Sequence, residues 1–369
     1  MPLPKLVAFL GGMGGSPVED NFARALVEDT LDTIERVLES GGVDGAILAT
    51  DSSSIGERCP SEVMLDRDGK EFHFGRRLTE LIREHDLERV IYLGAGSATL
   101  MPADDFFSLG HYLGMAWNMV LTNNRYSSDF TAFVPAEALF QVDPPAKDNL
   151  LPRVLADEAQ LSLQELPRSI ATQFNIDTPS ELAVLKLTER AGPRLAEWLE
   201  AAEMVCSRYE ACVKLLADPK AHVLVAGRVG SQAWQYLEQE TACRIRLFSE
   251  ERGMRAAGRE HGEARSLLAY HLLEVGCERF FGEMAEMVDG AFIDTRVIFA
   301  HLSHNLSRSD RFLSDLGHYE EIRDTFLREF TEAAVKAKIP VVLGGHSLVA
   351  GGLMALTEYA WRDVPESEA

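Results

Sequence analysis

Long apolar runs are missing from this chain of 369 residues, so no helix is expected to cross a bilayer. Cysteine is scarce: Cys59, Cys206, Cys212, Cys243 and Cys277 are odd in number and widely scattered. None has the CxxC spacing of a zinc knuckle, and reduced thiols in the core or on helix faces are expected. Positive charge is also in short supply. With 36 Lys and Arg against 58 Asp and Glu, the formal net charge is −22. That balance argues against a nucleic-acid partner, because such binding depends on neutralising phosphates. The opening residues Met1-Pro2-Leu3-Pro4-Lys5 lack the regions of a secretory signal, so the cytoplasm is the expected location.

What is present reads as two domains, 1–190 and 191–369, since the chain is too long for one typical core. Short apolar runs at Leu6–Leu10, Gly45–Thr50 and Val90–Gly94 alternate with helical patterns over Val18–Glu39 and Phe74–Glu84. Fully apolar strands separated by helices predict a parallel sheet covered on both faces, hence a three-layer α/β domain. Ligands on such sheets bind beyond the strands' carboxyl ends. Gly11, Gly12, Gly14, Gly15 and Ser16 follow the first strand; Asp51-Ser52-Ser53 follow the second; Gly94, Gly96 and Ser97 follow the third. Glycines there let backbone N–H groups approach a phosphate. The spacing matches neither a phosphate loop with its Lys nor G-x-G-x-x-G.

The run Phe174-Asn175-Ile176-Asp177-Thr178-Pro179-Ser180-Glu181-Leu182 reads as a strand end turning into a helix. Thr178 suits the cap, Pro179 the first helical position, and Glu181 completes a capping box. Alternation puts Asn175 and Asp177 on one face and Ile176 on the other. Two oxygen-bearing side chains so placed suit half of a magnesium site.

This segment resembles the closing D/N-x-D/N-T-P-x-(D/E)-L motif of the nucleotidyltransferases related to molybdenum cofactor guanylyltransferase and 2-phospho-L-lactate guanylyltransferase. The resemblance extends over residues 5–190. Phe22–Leu31, the strand into Asp51 and the segment Ile91–Pro102 look like the family's successive elements. It implies a mixed, mainly parallel nucleotidyltransferase sheet of the GT-A-like kind, binding a nucleotide with Mg2+. Two family features are absent. The opening loop carries no Arg or Lys, and Gly94, Ala95, Gly96 and Ser97 stand where the family has a metal-binding aspartate. The polar loop after Met119-Val120-Leu121 offers substitutes: Asp129 for the carboxylate and Arg125 for the cation, with Asp148-Asn149 on weaker grounds. The metal set expected is thus Asp177, Asn175 and Asp129.

Beyond residue 190 a second α/β unit is expected. It would have a helix over Pro193–Leu216 and strands at His222–Ala226, Cys243–Phe248, Ala291–Phe299 and Pro340–Leu343. Gly344-Gly345-His346-Ser347 invites comparison with a hydrolase nucleophile elbow, but Val349 stands where a small residue is required and no histidine follows. An anion-binding turn before a helix starting near Leu348 fits better. His222–Ser231 has a Rossmann-like outline with Ser249-Glu250-Glu251 ending the next strand; its glycine spacing suits an ordinary strand-to-helix turn. Asp294 with His301 and His304 suits capping and surface roles more than a metal.

Three functions follow for testing. The first is metal-dependent transfer of a nucleotidyl group from a nucleoside triphosphate to a phosphorylated or sugar-like acceptor. The second is nucleotide or nucleotide-sugar binding without catalysis, and the third is glycosyl transfer on the same fold. Expected partners are a nucleotide and a small-molecule acceptor, with no nucleic acid or membrane; self-association into a homo-oligomer stays open.

Overall fold

The computed structural model describes residues 2–12, 14–51, 55, 58–60, 63–66, 72–254, 258–259, 262–303 and 305–362. The chain divides into two compact units. One comprises 1–13, 24–175 and 191–195; the other comprises 14–23, 176–190 and 196–369. The sequence boundary near residue 190 differs from this division, which assigns 176–190 to the second unit.

The first unit is built on a seven-stranded sheet. Its strands are β1 (Lys5–Leu10), β2 (Ala46–Thr50), β3 (Val63–Asp66), β4 (Val90–Gly94), β5 (Met119–Thr122), β6 (Phe130–Val134) and β7 (Ser162–Glu165). They lie in the order β3-β2-β1-β4-β6-β5-β7. All neighbours are parallel except β6, which runs against both β4 and β5. The expected mixed, mainly parallel α/β architecture is therefore present. Its central strands are apolar on both faces because both are covered. On one face Val7, Phe9, Val90 and Tyr92 pack with Leu78 and Leu81 of the helix Phe74–Glu84. Their alternates Leu6, Ala8, Ile91 and Leu93 point the other way and are equally buried.

Three strands escaped the sequence pattern. The edge strand β7, Ser-Leu-Gln-Glu, carries one apolar residue and exposes alternate positions, so it has no continuous run to detect. β3 is the opposite edge. β6, Phe-Thr-Ala-Phe-Val, is buried throughout and apolar but for Thr131, and its run carried a signal that the sequence reading passed over.

The second unit holds a parallel four-stranded sheet of β8 (His222–Gly227), β9 (Arg244–Ser249), β10 (Gly290–Asp294) and β11 (Val341–Gly344), in the order β11-β10-β8-β9. Two expectations need correction. The strand expected over Ala291–Phe299 stops at Asp294 and a helix runs Arg296–His301, because a continuous apolar run does not by itself distinguish a buried strand from a buried helix. The helix expected over Pro193–Leu216 is two, Pro193–Ala201 and Ser207–Leu216, so an apolar period alone did not reveal the break. Among the described residues no helix is long and apolar enough to cross a membrane.

Candidate functional site

Register brings the strand ends of the first unit together. Leu10 pairs with Thr50 and Phe9 with Gly94, so Gly11, Asp51 and the turn after Gly94 emerge side by side. The Gly12 N–H donates to Asp51 Oδ2 at 3.1 Å. A Cβ on Gly11 would stand 2.8 Å from Asp51 Oδ1, so a side chain there would push the Asp51 carboxylate off this close approach. Asp51 therefore braces the glycine loop and leaves a carboxylate against it.

The Gly94–Thr99 turn closes on itself. The Gly94 carbonyl accepts from the Ser97 N–H at 3.1 Å and from Ser97 Oγ at 2.5 Å. Thr99 donates to the Gly96 carbonyl and to Asp29 Oδ2, each at 3.1 Å. Arg36 reaches the carbonyls of Ala98 and Thr99 at 3.3 and 2.9 Å. Burial pushes the Asp29 carboxyl up to about 7, against the lowering effect of Thr99 and Arg36.

Asp129 begins the return strand. Since Leu93 pairs with Phe130 in antiparallel register, one further step sets Gly94 opposite Asp129. The loop holds that residue from both sides: Asn123 Nδ2 donates to Asp129 Oδ2 at 3.0 Å, and the Asp129 N–H donates to Asn123 Oδ1 at 3.1 Å. Asp148 arrives at the same place. Its Oδ2 accepts from the Tyr92 hydroxyl at 3.1 Å and would lie 3.2 Å from a Cβ on Gly94. Burial raises the Tyr92 hydroxyl well above its ordinary value, and the charges of Asp148 and then Asp129 raise it further. Both carboxylates thus lie within electrostatic reach of one phenol.

Sequence reasoning ranked Asp148 below Asp129 and overlooked Tyr92. A polar-tipped aromatic two residues before the end of an apolar strand was the available signal. Asn149 fixes the approach of Asp148, its side chain donating to the Ser128 carbonyl at 3.0 Å. Arg125 is differently engaged: its guanidinium donates to Asp157 at 2.5 Å and its backbone N–H to Glu165 at 2.8 Å.

Gly14, Gly15 and Ser16 belong to the second unit. The Gly15 N–H donates to Asp20 at 3.3 Å, and Ser16 Oγ accepts from the Glu19 N–H at 3.4 Å, a capping arrangement for the helix Pro17–Glu39. Met13, Ser52, Ser53 and His304 lie outside the described residues.

The closing motif is not a sheet strand. Phe174–Asp177 carries no ladder, although its alternation persists: Phe174 and Ile176 are buried, Asn175 is half-buried and Asp177 exposed. Extended backbone suffices for the alternation, and sheet pairing is a separate tertiary matter. The capping box is present as read. Thr178 caps the helix Pro179–Thr188, and Glu181 Oε2 accepts from the N–H groups of Thr178 at 2.7 Å and Asp177 at 3.2 Å. Burial, then the charge of Asp177, pushes the Glu181 carboxyl up to about 8. Asn175 ends one unit and Asp177 belongs to the other.

The turn after β11 is filled by the protein itself. A Cβ on Gly344 would meet Ser180 Oγ at 2.5 Å, and one on Gly345 would meet the Thr178 methyl at 3.1 Å. The expected helix start near Leu348 is a π turn with non-helical backbone at Ala350; the regular helix is Leu353–Ala360. His301 Nδ1 accepts from the Ser266 N–H at 3.0 Å, a supporting role.

Among the described residues no three His, Cys, Asp or Glu side chains group as a metal cage. Magnesium ordinarily needs one or two carboxylates, the rest of its shell being water and substrate phosphate. Asp129 and Asp148 suit that requirement.

No protein-family model matches the chain, and no curated protein sequence matches it. Solved structures show partial likeness. A cytidylyltransferase from Leptospira borgpetersenii is 15% identical, with 54% of this chain and 93% of that one covered and a TM-score of 0.38. A 4-diphosphocytidyl-2C-methyl-D-erythritol synthase from Anaerococcus prevotii is 14% identical, covering 48% and 91%, with a TM-score of 0.32. A CMP:2-keto-3-deoxy-manno-octonic acid synthetase complexed with CTP is 14% identical, covering 49% and 95%, with a TM-score of 0.33.

Proposed function

We propose that the first unit binds a nucleoside triphosphate at the carboxyl edge of its sheet and transfers the nucleotidyl group to a phosphorylated or sugar-like acceptor. The observation that supports this reading is the meeting of four separate segments on one edge: Gly11–Gly12 with Asp51, Gly94–Ser97, Asp129, and Asp148 with Tyr92. Parallel-sheet geometry makes that edge the place for a ligand.

In this reading Gly11 and Gly12 admit the phosphates, and Asp51 sets the direction of the loop N–H groups. Asp129 and Asp148 would hold Mg2+, with Asn123 and Tyr92 fixing their orientation. When bound, that ion would neutralise phosphate charge and align the attacking oxygen. The acidic edge makes a cation necessary, because Asp51 stands against the loop and the loop supplies no basic side chain.

Arg125 supports a second reading, nucleotide binding without transfer. Its guanidinium is held by Asp157, so it would stabilise a transferring phosphate only by exchanging that partner. Pyrophosphate release from a panel of nucleoside triphosphates, with and without Mg2+, separates the two. Melting temperatures in the same mixtures report binding independently. Binding without pyrophosphate release across an acceptor panel selects the second reading; no shift with any nucleotide, with or without Mg2+, removes both.

A further inference from the structure

Asp29 of the helix Pro17–Glu39 and Thr99 of the turn after β4 are both buried, and both belong to the first unit. The Thr99 hydroxyl stands 3.1 Å from Asp29 Oδ2 and 3.1 Å from the Gly96 carbonyl. A threonine hydroxyl carries one proton and two lone pairs. It therefore serves one of these acceptors fully, unless Asp29 brings a proton of its own. Among the described residues no other donor reaches the Gly96 carbonyl.

The turn that this hydroxyl closes needs holding from outside. Gly96 has φ of +75° and Ala98 φ of +55°, the second a left-handed conformation that a side chain disfavours. Arg36 holds the far side through the Ala98 and Thr99 carbonyls, while Thr99 holds Gly96. The near side abuts the carboxylates of the sheet edge. A Cβ on Gly94 would lie 3.2 Å from Asp148 Oδ2 and 3.3 Å from Ser97 Oγ. A turn released at the Gly96 carbonyl thus disturbs the wall against which Asp148 stands.

The charged groups that face Asp29 are Arg36 and Asp32 of its own helix. The turn packed against it, Gly94 to Thr99, has no ionisable side chain. The segment 191–195 serves other acids: Arg194 pairs with Glu35, and the N–H groups of Arg194 and Leu195 bond to Asp32 at 3.1 and 3.0 Å. Glu28, next to Asp29, is paired with Arg58. Burial outweighs the pull of Thr99 and Arg36, and the Asp29 carboxyl titrates at about 7. Below that pH the Asp29 O–H donates to Thr99 Oγ1, and the Thr99 proton goes to Gly96. Above it the Asp29 proton leaves for solvent and the carboxylate draws the Thr99 proton. The Gly96 carbonyl is then buried without a donor, which is costly.

We propose that Asp29 is a positioning residue of the nucleotide edge, whose proton decides whether Thr99 closes the turn on the Gly96 carbonyl or abandons it. This inference rests on the nucleotide-binding reading of that edge. The closed turn, with Asp29 protonated, is the binding form. Mg2+-dependent triphosphate binding therefore weakens as pH rises through about 7.

Hydrogen exchange of the segment 94–99 in the full chain, without ligand, tests the turn by itself. It is read by mass spectrometry at pH 6 and pH 8 and corrected for the intrinsic rate. The native protein should lose protection several-fold at pH 8, as the loss of one buried hydrogen bond implies. Asp29→Asn, whose amide N–H donates to Thr99 at either pH, should keep it. Thr99→Ser retains the hydroxyl and should retain the native pH dependence, whereas Thr99→Val should show low protection at both values. Calorimetric titration with Mg2+ and inorganic triphosphate then tests positioning. Native and Asp29→Asn affinities should be equal at pH 6, with the native several-fold weaker at pH 8; the ligand's own protonation cancels in the comparison. Equal native protection at both pH values, the same decline in Asp29→Asn, or an affinity ratio that ignores pH overturns the proposal. Should Asp29→Asn not fold, a pH-dependent protection that persists in Thr99→Val overturns it. If protection follows expectation and triphosphate binds at neither pH, the nucleotide reading of the edge fails and the proton-governed turn stands.

Discussion

Gly12 and Asp51 stand 39 residues apart, and the N–H of one donates to the carboxylate of the other at 3.1 Å. A glycine loop suited to phosphate is thus already engaged by a negative side chain. That bond fixes the loop at Gly12, and a phosphate placed there would meet like charge unless a cation intervened.

Asp51→Asn tests that electrostatic balance. Removing one charge at hydrogen-bond distance from the loop should strengthen Mg2+-free triphosphate binding several-fold, with the gain shrinking at high salt. Titrations at two ionic strengths check it; weaker binding without Mg2+ would show that Asp51 supports the phosphates directly.

Asp129→Asn and Asp148→Asn should each leave the fold intact and reduce the Mg2+-dependent part of nucleotide binding. A ligand at one hundred times its dissociation constant stabilises by about 2.7 kcal/mol, so most of the native thermal shift should vanish. A full shift in both variants would place the metal elsewhere.

Phe72 is 66% exposed and its ring meets that of Phe9 edge-on at 5.7 Å. Phe9 lies one residue from the end of β1, so Phe72 offers an aromatic face near the proposed nucleotide edge. Base stacking on such a face is worth about 1–3 kcal/mol. Phe72→Ala should weaken nucleotide binding by about that amount and leave inorganic triphosphate unaffected. Equal losses for both ligands would remove the stacking role.

The buried Glu181 makes stability depend on pH. Its carboxyl titrates at about 8 in the fold against an ordinary 4.5. Between those values the native state keeps a proton that the unfolded chain releases, so stability is fully present below about 4.5 and is lost as pH rises through about 8. The slope from one such group reaches at most about 1.4 kcal/mol per pH unit. Glu181→Gln keeps an acceptor for the Thr178 N–H and should flatten this decline in denaturant melts from pH 5 to 8. An unchanged slope would assign the pH dependence to other groups, Asp29 first among them.

The capping box at Thr178–Glu181, the glycine turns after β1 and β4, and the long helix Pro17–Glu39 were legible in the sequence. Each depends on residues within a turn or two of one another, where spacing and side-chain chemistry act locally. The central strands were legible too, because burial on both faces makes them continuously apolar. Tertiary structure alone decided the rest. The edge strands β3 and β7 are strands only because a neighbour supplies hydrogen bonds. Tyr92 and Asp148 meet across 56 residues, and Arg228 and Asp294 across 66. Buried charges take the partner that sheet register brings to them, and no local spacing encodes that choice. Asn175 and Asp177 show both sides: their alternation follows from extended backbone, whereas their place outside any strand follows from packing.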